Sequence, residues 1–391
     1  MMRRPYKLLF PVGAVLGAVG VGHWLVYTLG LQEGYSGDAH ALVQVQGFLM
    51  AFAAGFLLTM IPRRTGTPPV GTVTVVASAV LVVLSAGAAT LEKWTIAHLS
   101  FAATLLVLLG VVGRRFLARE AGRRPPAVFV FVPIGLLCGL AGVAFVLGNQ
   151  HGFVGRNAYV AGWRMITEGV FTCWVVGLGA FVVPLLGGRE TPPDADATPA
   201  SRRLLILHAL VGLTLVGSYL VEAVLQSRLG SGVGLRVGLG LRFVLVVFEL
   251  VVLTQAWRRP RQAGIQRTWV WLANLMVPFG LLLATLFPHS KTAWLHLSFV
   301  GGFSLMALSL SAHVVAAHGG HETDTGRRPW PLVTLGILVL MAGLTRASAD
   351  HHGSYFNHLA YAAALWLLGL GCWLVFVIPR LRDAESPAEG G

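Results

Sequence analysis

Cysteine is scarce and placed badly for chemistry. The 3 cysteines, Cys138, Cys173 and Cys372, lie far apart inside apolar stretches. Iron–sulfur spacing is therefore absent, and no Cys-x-x-Cys-His occurs, which excludes covalent c-type haem. The three thiols read as packing residues. Charge is scarce as well: 12% of the chain is charged, with 16 acidic against 29 basic residues. Long polar stretches are missing. The longest runs from about 188 to 203 and leaves no room for a second, soluble domain. A nucleotide loop is missing too. Gly230-Ser231-Gly232-Val233-Gly234 has the composition but no strand before it, and reads as a flexible hairpin.

What is present is apolar. The chain is 55% hydrophobic over 391 residues, with mean hydropathy +0.72. Stretches of about twenty apolar residues recur, each long enough to cross a hydrocarbon core about 30 Å thick. They fall at 8–30, 40–62, 70–90, 95–117, 127–148, 165–187, 204–225, 235–257, 268–288, 293–317, 330–349 and 357–380. Met1 to Leu31 resembles a signal peptide, but its apolar run is too long for a typical cleaved one, so it is kept as span 1. The expected fold is all-α: a polytopic integral membrane protein of twelve transmembrane helices in one domain over 1–391. The linker at 188–203 divides it into six helices (about 8–187) and six (about 204–380), with a polar tail at 381–391. His98-Leu99-Ser100-Phe101 and His296-Leu297-Ser298-Phe299 each open the fourth span of a half, with Trp94 and Trp294 before them. Internal duplication and chance in a biased composition both explain that echo. Gly13/Gly17 and Gly135/Gly139 are small-residue pairs that let helix backbones approach closely.

The net charge of +13 is sorted. Most basic residues lie at the termini or after even-numbered spans: Arg3, Arg4 and Lys7; Arg63 and Arg64; the group from Arg114 to Arg124; Arg189, Arg202 and Arg203; Arg258 to Arg267; Arg327 and Arg328; Arg380 and Arg382. Lys93, Arg156, Arg164, Arg228, Arg236 and Lys291 lie at the other junctions. This is the positive-inside bias, and it predicts both termini in the cytoplasm. The basicity is thus topological, and no nucleic-acid partner is expected; the expected partner is membrane lipid.

Histidine is the residue to explain. Imidazole is costly in hydrocarbon and is a common metal ligand. By the topology above, His40, His98, His296 and His358 each open an even-numbered span, so they share one depth near the arginine-poor face. Each is a candidate cofactor or metal ligand, set against the alternative of an interfacial anchor. The adjacent His351-His352 is a further candidate metal pair in a Gly-Ser loop. His23 reads equally as a ligand or a buried hydrogen-bonding residue, and His151 and His289 as interfacial anchors. His208, His313, His318 and His321 fall on the arginine-rich side. Ionisable residues also fall inside spans: Glu222, Arg242, Glu249 and Arg346. Arg346 stands at the histidine depth, where a guanidinium can fork onto a carboxylate of haem. Pairing of Glu222 or Glu249 with Arg242 is the expected structural use of the others.

Several runs resemble the NnrS family. They are His40-Ala41-Leu42, Gly47-Phe48, Gly55-Phe56-Leu57-Leu58-Thr59, Ile61-Pro62 and Thr65-Gly66. A later set is His296, Val300-Gly301, Met306, Leu308, Ala312, Val314, His318 and Gly320, followed by Leu344-Thr345-Arg346 and Ala364-Leu365-Trp366 through Pro379-Arg380. The resemblance covers about a quarter of the chain. It implies a twelve-helix bacterial inner-membrane protein carrying haem b and copper, associated with nitric oxide, denitrification and nitrosative stress. It marks His40, His296, His318 and Arg346 as family-typical. The chain departs at Leu42, where the family has a second His, at Arg63-Arg64, at His313, and in span 6, where only Gly179 and Pro184 remain of the pattern. The missing His bears on copper before it bears on haem.

Three functions fit at this stage. The first is a haem protein that binds or reduces nitric oxide near the periplasmic face, a reductase needing an electron donor that the sequence does not name. The second is a twelve-helix secondary transporter using the intramembrane charges. The third is a gas sensor or haem-handling protein without turnover.

Overall fold

The spans become helices because a backbone in hydrocarbon must satisfy its own hydrogen bonds. The computed structural model describes residues 4–195 and 198–382; Arg3, Asp196 and residues 383–391 of the polar tail lie outside the described residues. Twelve long helical runs follow one another within them. They are α1 (Tyr6–Thr28), α2 (Gly37–Thr65), α3 (Thr72–Thr90), α4 (Trp94–Leu117), α5 (Ala127–Gln150) and α6 (Arg156–Leu186). After the linker come α7 (Pro199–Leu229), α8 (Ser231–Val247, continued by a π-helical turn over Phe248–Leu253), α9 (Ile265–Leu286), α10 (Pro288–His318), α11 (Trp330–His351) and α12 (Tyr355–Arg382). No strand is present among the described residues, only an isolated bridge between Pro126 and Asp194. The protein is thus an all-α polytopic membrane protein.

Eleven of these runs are long and apolar enough to cross a membrane. The expected count was twelve; α8 is the run outside the eleven, and it carries Arg236, Arg242 and Glu249. Helix 6 begins at Arg156, nine residues before the expected 165, and that extension carries Tyr159, Trp163 and Arg164, which line an interior cavity.

Local signals set several boundaries. Ser36 caps α2, its hydroxyl accepting from the Ala39 N–H at 3.2 Å. Thr198 and Ser201 form a capping box that starts α7 directly after the linker, with Pro199 in the first turn. Gly66 ends α2 in the left-handed region at φ 69°, where a side chain would also meet Glu120.

The layering places three helices at the centre. In α2, α6 and α10, 78%, 89% and 78% of the most apolar stretch is buried, against 33% in α7. Close approach around them uses the glycines of α1. A Cβ on Gly13 would fall 2.6 Å from Phe52, one on Gly17 would fall 2.8 Å from Trp366, and one on Gly20 would fall 2.4 Å from Gln44. Gly135 and Gly139 do the same for α5, against Trp174 and Leu105. One apolar core includes buried residues from both six-helix sets. At the arginine-rich end, Arg4 and Arg63 both donate to His318, to its carbonyl and its ring respectively. Arg64 pairs with Asp194 of the linker, and Arg380 with Asp324 at 2.6 Å. His318 is therefore a tie between helix ends.

Candidate functional site

The central helices enclose a cavity of about 570 Å³, within the range of small-molecule and cofactor sites. Its walls come from α1, α2, α6, α10, α11 and α12. Most of the lining is apolar or aromatic, including Phe48, Trp163, Phe299, Phe303 and Trp366. Two histidines face it: His40 from the first turn of α2 and His296 from α10. Arg346 of α11 lines it as well.

The backbone fixes how both imidazoles are presented. His40 Nδ1 lies 2.8 Å from the Gly20 carbonyl, and His296 Nδ1 lies 2.6 Å from the Thr292 carbonyl. A carbonyl oxygen only accepts, so in each ring Nδ1 carries the proton and donates it. That leaves Nε2 with its lone pair. This is the arrangement seen around metal-bound histidine, where the remote N–H is held by a carbonyl or carboxylate. Trp24 packs its ring edge-on against His40, with centroids 5.4 Å apart, and closes that side.

Helix winding also singles out this region. Val43–Leu49 of α2, Met165–Gly169 of α6 and Leu297–Ser304 of α10 are π-helical. Each supplies residues to the cavity wall, among them Phe48, Glu168 and Phe303. Wide turns of this kind add a residue per turn and recur at functional sites. The fourth π turn, in α8, holds Glu249, whose carboxylate oxygen Oε2 accepts from His208 Nδ1 at 3.1 Å, both groups being buried.

Ionisable groups form one end of the site. Arg164, Glu168 and Lys291 line the cavity. Behind them Glu222 is wholly buried and pairs with both Arg164 and Arg242. Gln226 donates to Glu222 at 2.7 Å, and the Arg242 guanidinium lies 4.4 Å above the Tyr219 ring. The expected Glu222–Arg242 pairing is present, and Arg164 extends it to the cavity. Arg346 makes its own contacts, to Asp350 at 3.4 Å and to the Tyr355 hydroxyl at 3.2 Å.

The other sequence candidates stand elsewhere. His98 is buried on α4 but outside the cavity lining; its Nδ1 accepts from Gln46 Nε2 at 3.3 Å, and Gln46 Oε1 accepts from Ser85 at 2.7 Å. It belongs to a hydrogen-bonded chain joining α2, α3 and α4. His358 is outside the lining as well, stacked on His352 at 4.6 Å with its Nδ1 3.1 Å from the Ser354 carbonyl. His351 packs on Trp294 with centroids 5.6 Å apart. His23 accepts from the Ser36 N–H at 3.1 Å and holds the α1–α2 loop. Shared depth thus brings two of the four histidines to one cavity. The other two stand apart from it, His98 against Gln46 and His358 against His352.

Sequence reading missed Lys291, Arg164 and Glu168. Lys291 stands five residues before His296 on the same helix, and Arg164 and Glu168 are an i,i+4 pair in an otherwise apolar run. Those spacings were the available signal. Among the described residues, no three or more of His, Cys, Asp and Glu converge as a metal-binding group.

The fold and the cavity define a class: a polytopic α-helical membrane protein organised around an interior cavity. Within that class, the family model described as NnrS protein matches residues 1–384, and the chain belongs to the NnrS family. No curated protein matches the chain.

Proposed function

We propose that this is a haem-binding inner-membrane protein of the nitric oxide response, with haem b in the central cavity and nitric oxide as the gas ligand. The observation that carries the reading is the presentation of two Nε2 lone pairs, from His40 and His296, into one apolar cavity.

The residues fit haem better than an ion held by side chains alone. A closed side-chain site needs three or four donors, and no such group occurs among the described residues. Haem would supply most of its own donor nitrogens and ask the protein for only one or two more. His40 and His296 are the residues that would hold it, and the Gly20 and Thr292 carbonyls would orient them. The aromatic walls would exclude water and accept an apolar ring system. Haem iron supplies a redox-active centre that binds diatomic gases. The family's copper has no matching donor set here, so no step is assigned to it.

Optical spectra of the purified full-length protein, expressed with haem supplied, test the reading. A Soret band is expected, and its shift on adding nitric oxide. His40→Ala or His296→Ala is expected to lower haem content at least several-fold. His98→Ala is expected to leave it at the wild-type level, because His98 serves the α2–α4 contact. Absence of a Soret band, or full haem content in both of the first two variants, overturns the proposal. Steady-state consumption of nitric oxide with an added electron donor then separates a reductase from a binder. The Arg164–Glu222–Arg242 cluster favours a second reading, secondary transport. Solute uptake driven by a proton gradient in haem-free proteoliposomes is its test.

A further inference from the structure

The cavity is electrically lopsided, and the imbalance has a location. Lys291 lines the cavity near the start of α10. Among the described residues no carboxylate lies within ion-pair distance of it, and no hydrogen-bond partner is found for its ammonium. The charges acting on it are Arg164, Arg242 and Glu168. Glu222 is already shared by Arg164 and Arg242, with Gln226 on the same carboxylate. At this end, three cations (Arg164, Arg242 and Lys291) meet two carboxylates (Glu168 and Glu222). Asp38, the remaining carboxylate of the lining, stands in the first turn of α2, where Glu92 is the charge acting on it. Arg346, by contrast, already has Asp350 and the Tyr355 hydroxyl and ring. An unmatched positive charge in a low-dielectric interior calls for an anion.

Resting on the haem reading above, we infer that Lys291, backed by Arg164, is the seat for the carboxylates of the cavity's ligand. The ligand then carries its negative edge toward α6 and the start of α10, and its apolar face against the aromatic walls. Arg346, the residue the sequence offered for this role, is a positioning residue for the α11–α12 turn. Lysine suits a carboxylate that enters as part of a ligand, since its ammonium is a compact charge on a flexible stem.

Removing the charge from either partner, protein or ligand, tests the seat. Full-length haem-free protein in detergent is titrated with ferric haem b and with its dimethyl ester, in which both carboxylates are neutral. Binding is read from the Soret band. Wild-type protein is expected to prefer the diacid by about tenfold or more, the scale of a hydrogen bond to a charged group. Lys291→Met is expected to bind both porphyrins with nearly equal affinity, and Lys291→Arg to recover most of the preference. Helical circular dichroism of each variant separates loss of recognition from loss of fold; recovery in the arginine variant provides a second check. Equal binding of the two porphyrins by wild-type protein overturns the charged seat and leaves the cavity reading standing. Preference kept in Lys291→Met but lost in Arg346→Gln also overturns it, by moving the seat to α11. Failure of both porphyrins to bind overturns the haem reading itself.

Discussion

Glu222→Gln is expected to lower stability by about 3–5 kcal/mol, the cost of breaking a buried ion pair from one side. Glu222 is wholly buried, and its two oxygens hold Arg164 and Arg242. The amide keeps the shape and loses the charge. Two guanidiniums then remain in the interior without their common anion. Arg242 is itself wholly buried, and its other contacts are a ring face and the Ser218 hydroxyl at 3.4 Å. Neither replaces a carboxylate. Thermal unfolding in detergent, followed by circular dichroism, measures the loss. The double variant Glu222→Gln/Arg242→Gln is expected to be more stable than Glu222→Gln alone, because it removes one of the stranded charges. If the single variant unfolds at the wild-type temperature, the cluster is not a source of stability.

The second large effect concerns a residue with no functional group. Gly20→Val is expected to lower haem affinity about 10- to 100-fold, the usual range for disturbing the partner behind a metal ligand. The Gly20 carbonyl accepts from His40, and a side chain on Gly20 would collide with Gln44 and Val43 at 2.4 and 2.9 Å. The Gln44 amide can swing aside, but Val43 is branched and buried in the turn that follows His40. Relief therefore requires α1 and α2 to part, which moves the carbonyl from its imidazole. Gly22 is the control. It lies two positions on, with nothing within 4 Å of an added Cβ. Gly22→Ala is expected to bind haem like the wild type and to gain a few tenths to about 1 kcal/mol in helix stability. Equal haem affinity in Gly20→Val and Gly22→Ala would remove the α1 carbonyl from the site.

The spans were legible because hydrocarbon leaves the backbone no alternative to helix, and the arginine sorting gave their alternation. His40, His296 and Arg346 were legible through motif and depth together. His98 and His358 had the same expected depth, but each is turned to other partners. A helix start fixes how far along the axis a residue sits, while rotation about that axis is set by packing, and the packing of α4 turns His98 toward Gln46. Lys291, Arg164 and Glu168 were hidden for a different reason. Lys291 and Arg164 fall just before the expected starts at 293 and 165, in stretches that hydropathy assigns to hairpins, and only the observed start of α6 at Arg156 brings Arg164 inside the helix; Glu168 stands inside its expected span, where an apolar pattern does not show which wall it joins. Glu222 was visible as an intramembrane charge, but its second cation, Arg164, stands on the preceding helix at a position that hydropathy assigns to a hairpin.

The π turns carry a further consequence. A π segment is an α-helix with surplus chain wound into it. Deleting one residue from Val43–Leu49 would let α2 rewind as plain α-helix; because the wide turn already absorbs the surplus residue, the chain on either side would nearly keep its facing, and the residues of the turn itself would be redistributed around the axis. His40 lies outside the turn and would keep its place, while wall residues such as Val45 and Phe48, which belong to it, would shift. The contour of the cavity is thus encoded partly in residue count: in these central helices an extra residue per wide turn shapes the walls between which the histidines stand.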